Sequence, residues 1–347
     1  MAVVTAKMIA EALNISPTAV SLALNGKAGV SEKTRQAVLE MADDLGYKAP
    51  RAADAQSPSK TLCYMTLAGT ASKHSPFSTY VLEGIEKIAA AEGYNTMVRY
   101  LYEDHIFDEA NISLLQHIDG LILLGTDITT ANSFQILDYF AMCGDIPIIV
   151  LDNMLLAGQV DCISNDNYGG ARLAIAHLVE QGCTSLGYLR SKTRISAFME
   201  RERGIYDTLS AAGFGEPVVV PVDISYENTY QDVLDWLETN PKLPEGFFAE
   251  NDVLAAAAIR AMKAKGIQVP EQVSVVGFDD VPIAQMTEPQ ITSIKSFMDD
   301  LGAVAGNLLF YRIRQKELGI PLNSFQQTYV STQLVERASV APPHMRT

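Results

Sequence analysis

A chain of 347 residues is long enough for more than one domain, and 48% hydrophobic against 19% charged residues is a globular composition rather than a disordered one. The formal charge of −15 excludes a surface that coats nucleic acid indiscriminately. No apolar run reaches the ~20 residues that span a bilayer, and "MAVVTAKMIAEAL" has no uninterrupted apolar core behind a basic start, so a cytoplasmic protein with no membrane partner is expected.

The charge is unevenly placed. Residues 1–60 hold seven Lys/Arg against six Asp/Glu, so the acidity lies in the remainder. If the head meets a phosphate backbone, the acidic body must face away from it. Cys63, Cys143, Cys162 and Cys183 are scattered among apolar neighbours, which predicts reduced, buried thiols. His74, His105, His117, His177 and His344 show no metal-ligand spacing, and neither a Gly-x-Gly-x-x-Gly nor a Walker loop is present, so no metal or other cofactor is expected.

Three short helices are predicted in the head. "TAKMIAEAL" (5–13) places Met8, Ile9 and Ala12 at helical spacing. "SPTAVSLALNG" (16–26) has Ser16 as N-cap, Pro17 at the first helical position, Val20 and Leu24 on one face, and Asn25-Gly26 as the stop. "SEKTRQAVLEMADDLG" (31–46) begins at a Ser31 cap with Glu32 in its first turn, and buries Val38, Ala42 and Leu45. The tight "NIS" link, with Asn14 in the left-handed region and Ile15 plugging the core, makes the first two a helix-turn-helix. The second helix is short because only its first turns need reach base edges. Thr5, Pro17, Thr18, Leu22 and Asn25 are then the candidates for base and backbone contact. Ser16, Ser21 and the helix amides suit phosphate oxygens, with Lys7, Lys27, Lys33 and Arg35 supplying charge. On pattern alone a three-helix dimerisation module fits equally well.

The run "MIAEALNISPTAVSLALNGKAGVSEKTRQAVLEMADDLGY" resembles the DNA-binding head of the LacI/GalR repressor family, through a tight turn, a Ser-rich helix ending in Leu-Asn-Gly, then Val-Ser-x-x-Thr-Arg and Leu-Gly-Tyr. Many members carry Arg where this chain has Leu22, so a different base preference is implied. The linker "KAPRAADAQSPSK" departs from the family's hinge helix: it has no Leu wedge, Asp54 adds an acid and Pro58 limits a helix. Arg51 is its clear minor-groove cation, and a plain tether fits as well.

From residue 61 strand-like and helix-like segments alternate. Strands are predicted at 61–67, 96–101, 120–124, 146–151, 185–189, 218–222, 246–249 and 273–278, mostly as apolar runs that suit a parallel sheet covered on both faces. Amphipathic helices are predicted at 79–92, 168–181, 200–212 and 253–265, each ended by Gly. The fold class is therefore α/β, with two similar parallel sheets behind a helix-turn-helix head. The expected divisions are a head at 1–48, a linker at 49–60 and a core at 61–340, with lobe 1 about 61–155 and 285–318 and lobe 2 about 160–280 and 322–340.

Two such lobes have a cleft where strand carboxyl ends face each other. Asp152, Asn251 and Asp279 follow strands there, and Arg201 offers a planar fork of donors. Carboxylates, an arginine and an aromatic face suit a sugar. Singly, Asp152 or Asp252 could be only a cap, and Trp236 reads as core. "ISNDNYGGARLAIAHLVEQGCTSLGYL", "ERERGIYDTLSAAGF" and "FFAENDVLAAAAIRAMKAKGIQVPEQVSVVGFDDVPIAQMTEPQITSIKS" resemble the same family's effector-binding core, itself similar to periplasmic sugar-binding proteins. The resemblance implies ligand contacts by Arg201, Asn251 and Asp279, with Asp152 and Asn165 near further pocket positions. The loop "HSPFS" would bring Ser75 and a stacking Phe77 to the cleft.

The reading is a transcription regulator rather than an enzyme: a homodimer whose paired heads read operator DNA, with affinity set by a small effector, foremost a sugar. A sugar-binding transport protein, an enzyme on the same scaffold using Asp279 and Asp280, and a regulator with weakened DNA binding are the alternatives.

Overall fold

The computed structural model describes residues 6–24, 29–45, 60–69, 77–239 and 241–341. Thr5, Asn25, Lys27, Arg51 and Ser75, with nearly all of the linker, lie outside the described residues.

The head contains α1 (Ala6–Leu13), α2 (Pro17–Leu24) and α3 (Glu32–Asp44). Asn14 joins the first two at φ 52°, the left-handed geometry expected of the turn. The Ser16 hydroxyl accepts the Ala19 N–H at 3.1 Å and caps α2, and Ser31 caps α3 through the Thr34 N–H. The core is Ile9, Ala10, Val20, Ala23, Val38 and Ala42, with Leu13, Ile15, Leu24 and Leu45 packed around it. The buried stripe of α1 is rotated by about one position from the one expected: Met8 and Ala12 are exposed, and Ile9 pairs instead with Leu13 one turn on. Arg35 is structural too. Its guanidinium donates to the carbonyls of Leu22 and Ala23 and satisfies the end of α2.

The body has two six-stranded sheets of the same design. The first runs β11-β5-β4-β3-β1-β2 and is parallel throughout. Its strands are β1 (Thr61–Leu67), β2 (Asn95–Leu101), β3 (Gly120–Leu124), β4 (Ile148–Leu151), β5 (Asp161–Asn165) and β11 (Gln327–Val330). The second runs β12-β10-β9-β8-β6-β7, with β6 (Leu186–Ser191), β7 (Val218–Val222), β8 (Gly246–Ala249), β9 (Ser274–Asp279), β10 (Thr292–Ser296) and β12 (Thr332–Val335). Only β12 is antiparallel, to β10. In each sheet the order reverses beside the first strand, between β1 and β3 and between β6 and β8. Ligands bind at such switch points, beyond the strands' carboxyl ends.

Helices cover both faces. In the first layer α4 (Phe77–Ala91) and α12 (Met298–Glu317) pack together on one side, and α5 (Glu109–Leu114) and α6 (Ser133–Met142) lie on the other. In the second, α7 (Asn167–Glu180) and α8 (Ser196–Ala211) pair on one side. On the other, α9 (Tyr226–Glu238) packs on α10 (Asp252–Ala264), and α11 (Pro282–Met286) follows β9. Head helix α2 also lies beside α6.

The chain passes between layers at Asn165–Asn167, Ser296–Met298 and Val330–Thr332. The lobe divisions expected from sequence shift accordingly: β5 and β11 belong to the first sheet, and β10 to the second. These strands escaped sequence reading because "DCISN", "TSIKS" and "QTYV" are not apolar runs. Apart from Asn165, the buried polar side chains of β5 and β10 are bonded, Asp161 to Arg312 at 2.8 Å and Ser293 to Asp252 at 2.6 Å. All four cysteines are buried and none forms a disulfide, with burial pushing the Cys63, Cys143 and Cys162 thiols up to about 12.

Candidate functional site

Two places carry the chemistry. On the head, Ser16 and Pro17 are exposed, while Thr18, Ser21 and Leu22 are half-buried on α2. The Ser16 hydroxyl is committed to its cap. Pro17 has no N–H, and those of Ala19 and Val20 are taken by Ser16, so the Thr18 N–H is what the first turn of α2 can offer an anion.

The second place lies between the sheets. Thr126 follows β3, Asp152 follows β4 and Asn165 ends β5, all at carboxyl ends of the first sheet. Ser191, Glu250 and Asp279 occupy the matching ends of β6, β8 and β9 in the second. The two walls meet directly where the Met154 N–H donates to the Ser196 hydroxyl at 3.5 Å.

Arg201 organises the second wall. It is 3% exposed on α8. Its Nε donates to Asn167 at 2.9 Å, one Nη donates to the Glu250 carbonyl, and the other donates to Asp279 at 3.0 Å. The guanidinium stacks on the Phe278 ring, 3.6 Å from its centre. Asp279 is held at φ 97° at the end of β9 and also accepts from Ser296. A non-glycine residue at such a φ is costly and fixes where its carboxylate aims.

Asp152 faces this group from the first wall. It is 6% exposed, at φ 58°, and accepts from the Thr126 hydroxyl at 2.7 Å. Burial pushes its carboxyl up to about 7. The Thr126 bond and Arg201 oppose the shift, while Asp279 and Glu200 reinforce it. These interactions put Asp152, Glu200, Arg201 and Asp279 in one electrostatic cluster drawn from both sheets. Asn165 is fully buried, and neither its amide oxygen nor its nitrogen has a partner. An unsatisfied buried amide costs about 1–3 kcal/mol and marks a place where a polar ligand group is needed.

Two expected contacts read differently. Phe77 opens α4 but packs into the core with Tyr64 and Val81, so its ring is a core group rather than an open stacking face. Asn251 is the N-cap of α10, its side-chain oxygen accepting the Leu254 N–H at 2.9 Å, which leaves only its amide N–H groups for a ligand. Trp236 packs on the core as expected, edge-on to Phe247 at 5.8 Å.

Sequence reading missed Thr126, Asn167, Arg194, Glu200 and Glu250. Glu250 has a usable signal: it is the charged residue that follows "GFFA", one place before Asn251. Asn167 begins α7, and its amide also bridges Ser164 and Glu200.

Residues 5–49 match the model of bacterial regulatory proteins of the lacI family, and residues 175–340 match the periplasmic binding protein-like domain. The chain is 28% identical to the ribose operon repressor of Halalkalibacterium halodurans over 96% of both chains. It is 27% identical to the transcriptional repressor PurR of Haemophilus influenzae over 97% of this chain and 98% of that one. Among solved structures, a complex of the regulator CelR with cellobiose superposes with a TM-score of 0.73 at 26% identity, covering 97% of this chain and 99% of that one. The lac repressor dimer bound to operator shares the fold at a TM-score of 0.69 and 23% identity over 97% and 99%. The helix-turn-helix head, the twin parallel sheets and relatives that match end to end agree: the chain belongs to the LacI family, as a DNA-binding transcription regulator with a periplasmic-binding-protein-like ligand-binding body.

Proposed function

We propose that this regulator is a repressor whose grip on its operator is set by a polyhydroxylated effector, foremost a sugar, held between the two sheets. The observation that carries the reading is the Arg201 fork tied to Asp279 and Asn167, facing Asp152 and the unpartnered amide of Asn165 across the cleft. Fixed carboxylates and amides accept from and donate to hydroxyl groups, and the Phe278 ring orients the guanidinium from behind.

The ligand bridges both walls, so it favours the arrangement in which they are close. Only that differential affinity can move the heads. The division into a head at 1–48, a tether at 49–60 and a two-lobed core is part of this proposal. Two heads of a homodimer would read two half-sites of an operator. Edge strand β2 supports the dimer, since Val98 and Tyr100 on it, with Tyr102 just beyond, are exposed at every second position, Tyr100 at 58%.

The relatives named above are regulators, and we read this chain likewise as non-catalytic. Among the described residues no helix is long and apolar enough to cross a membrane. We take the protein to work in the cytoplasm, where its operator is.

The test is a thermal-shift screen of the full chain against neutral sugars, followed by operator binding with and without each hit. A ligand that binds only the folded state raises the melting temperature, by about 2.7 kcal/mol of stability at a hundredfold excess over its Kd. A hit that leaves operator affinity unchanged overturns the coupling.

A further inference from the structure

The cleft contains more charge than a sugar needs, and the way that charge is paired narrows the effector further. Arg194 lies just beyond the carboxyl end of β6, two residues before the Ser196 that touches the first wall. It could have offered a second guanidinium to the ligand. Instead one of its Nη atoms donates to Glu250 at 2.7 Å and the other to Glu202 at 2.7 Å. Glu202 is also paired with Arg190, at 3.0 Å.

Glu250 is built for this task. It is fully buried at the switch point between β6 and β8. Its carboxylate accepts from the Tyr188 hydroxyl, from the Ser191 N–H at 2.7 Å and from Arg194. Its own carbonyl takes a bond from Arg201. One residue therefore fixes both arginines of the wall, Arg194 by its side chain and Arg201 by its backbone.

The charges then close as follows. Arg190 and Arg194 are matched by Glu202 and Glu250, and Arg201 by Asp279. Asp152 and Glu200 remain, with no ion-pair partner among the described residues. Among the described residues at the strand ends, an incoming anion meets no unpaired cation and two surplus carboxylic groups that oppose a further negative charge; Arg203, which acts on Glu200 from along α8, stacks on the Tyr168 ring. A hydroxyl group meets none of this opposition, since carboxylates and amides bond to it directly.

We propose that Glu250 sets the charge specificity of the cleft: by holding Arg194 in an ion pair it leaves the strand ends of the second wall without a free cation among the described residues, so the cleft takes uncharged polyols and rejects their phosphorylated or carboxylated forms. The inference rests on the polyol reading above but is tested separately from it.

The experiment uses the full chain and its E250Q variant, which keeps side-chain shape while removing the charge and turning one of the two acceptor oxygens into a donor. Melting is followed with inorganic phosphate against chloride at equal ionic strength, with D-ribose against ribose 5-phosphate, and with D-glucose against glucose 6-phosphate. The wild type should ignore inorganic phosphate and favour each neutral sugar that binds over its phosphate by at least about tenfold. E250Q should gain phosphate affinity by about tenfold or more, and the double variant R194Q/E250Q should lose that gain. Phosphate binding by the wild type, a sugar phosphate held as tightly as its parent, or a folded E250Q with no gain each overturn the proposal. If E250Q does not fold, the wild-type phosphate comparison decides alone: no response supports the proposal and binding overturns it. A wild type that responds to no neutral sugar in the wider screen overturns the polyol reading instead, while the phosphate comparison still decides the role of Glu250.

Discussion

The guanidinium of Arg201 sits 3.6 Å above the centre of the Phe278 ring while donating to Asp279, the next residue along β9. One strand end thus supplies both the face that orients the cation and the carboxylate that neutralises it. A lysine keeps the charge but loses the planar fork and most of the stacking. Arg201→Lys is expected to lower effector affinity at least tenfold and to reduce stability by about 2–4 kcal/mol, because Asn167 and the Glu250 carbonyl lose a buried donor. Calorimetric titration with the sugar identified by the screen, and urea unfolding, check the two effects.

Stability should fall as pH rises through neutrality. Asp152 is pushed up to about 7 by burial, and Asp252 is raised well above its ordinary value for the same reason. The folded state therefore holds protons that the unfolded chain releases near pH 4. Stability from these groups is fully present below that point and is lost as pH climbs through 7. Asp152→Asn removes one such group, so the variant should be about 3 kcal/mol more stable than the wild type at pH 8, with the difference vanishing near pH 4. Urea unfolding across pH 4–9 checks the slope; a variant whose stability tracks the wild type at every pH would refute it.

What the sequence disclosed follows from where apolar runs sit. Buried central strands such as "GLILL" and "TLCYMTL" are legible because they are apolar runs too short for a helix, which suits a covered parallel strand. The helix-turn-helix showed itself through caps, since Ser16, Pro17, Asn14 and Ser31 are local signals that need no tertiary context. The strands next to the crossings stayed hidden because their burial depends on partners far along the chain, as with Asp161 and Arg312 or Ser293 and Asp252. The cleft was half legible for the same reason. Asp152, Arg201 and Asp279 follow the strand-end rule or the family resemblance, but the pairing of Arg194 with Glu250 joins residues 56 positions apart and leaves no local trace.

The close approach of α4 and α12 gives a prediction independent of the ligand. A Cβ on Gly84 would lie 1.9 Å from the Asp299 carbonyl oxygen, and one on Gly302 would lie 2.0 Å from that of Val81. The obstacle in both cases is backbone, which cannot turn aside as a side chain can. Gly84→Ala and Gly302→Ala should each force the helices apart and cost about 1–3 kcal/mol or more, measured by urea unfolding. Gly213→Ala is a different case. No atom lies within 4 Å, so its cost should come only from φ 74° and stay near 1 kcal/mol.

The head can be tested by the form of its DNA binding. Ser16→Ala deletes the α2 cap and should cost about 1 kcal/mol of stability, seen as a lower melting temperature. Leu22→Arg exchanges an apolar contact for a bidentate donor that suits guanine, so selection from randomised operators should shift at one base pair per half-site, by about 1–3 kcal/mol. The shift should be confined to that pair, because the phosphate contacts that set register are untouched. Since the body is acidic, attraction to DNA must come from the head and linker alone, and each phosphate contact releases a counterion. Operator affinity should therefore fall steeply between about 50 and 200 mM salt, with a slope of roughly −0.9 per phosphate neutralised. Binding that ignores salt over this range would show that α2 does not meet DNA through its N-terminal end, and the half-burial of Thr18, Ser21 and Leu22 would then be their working state.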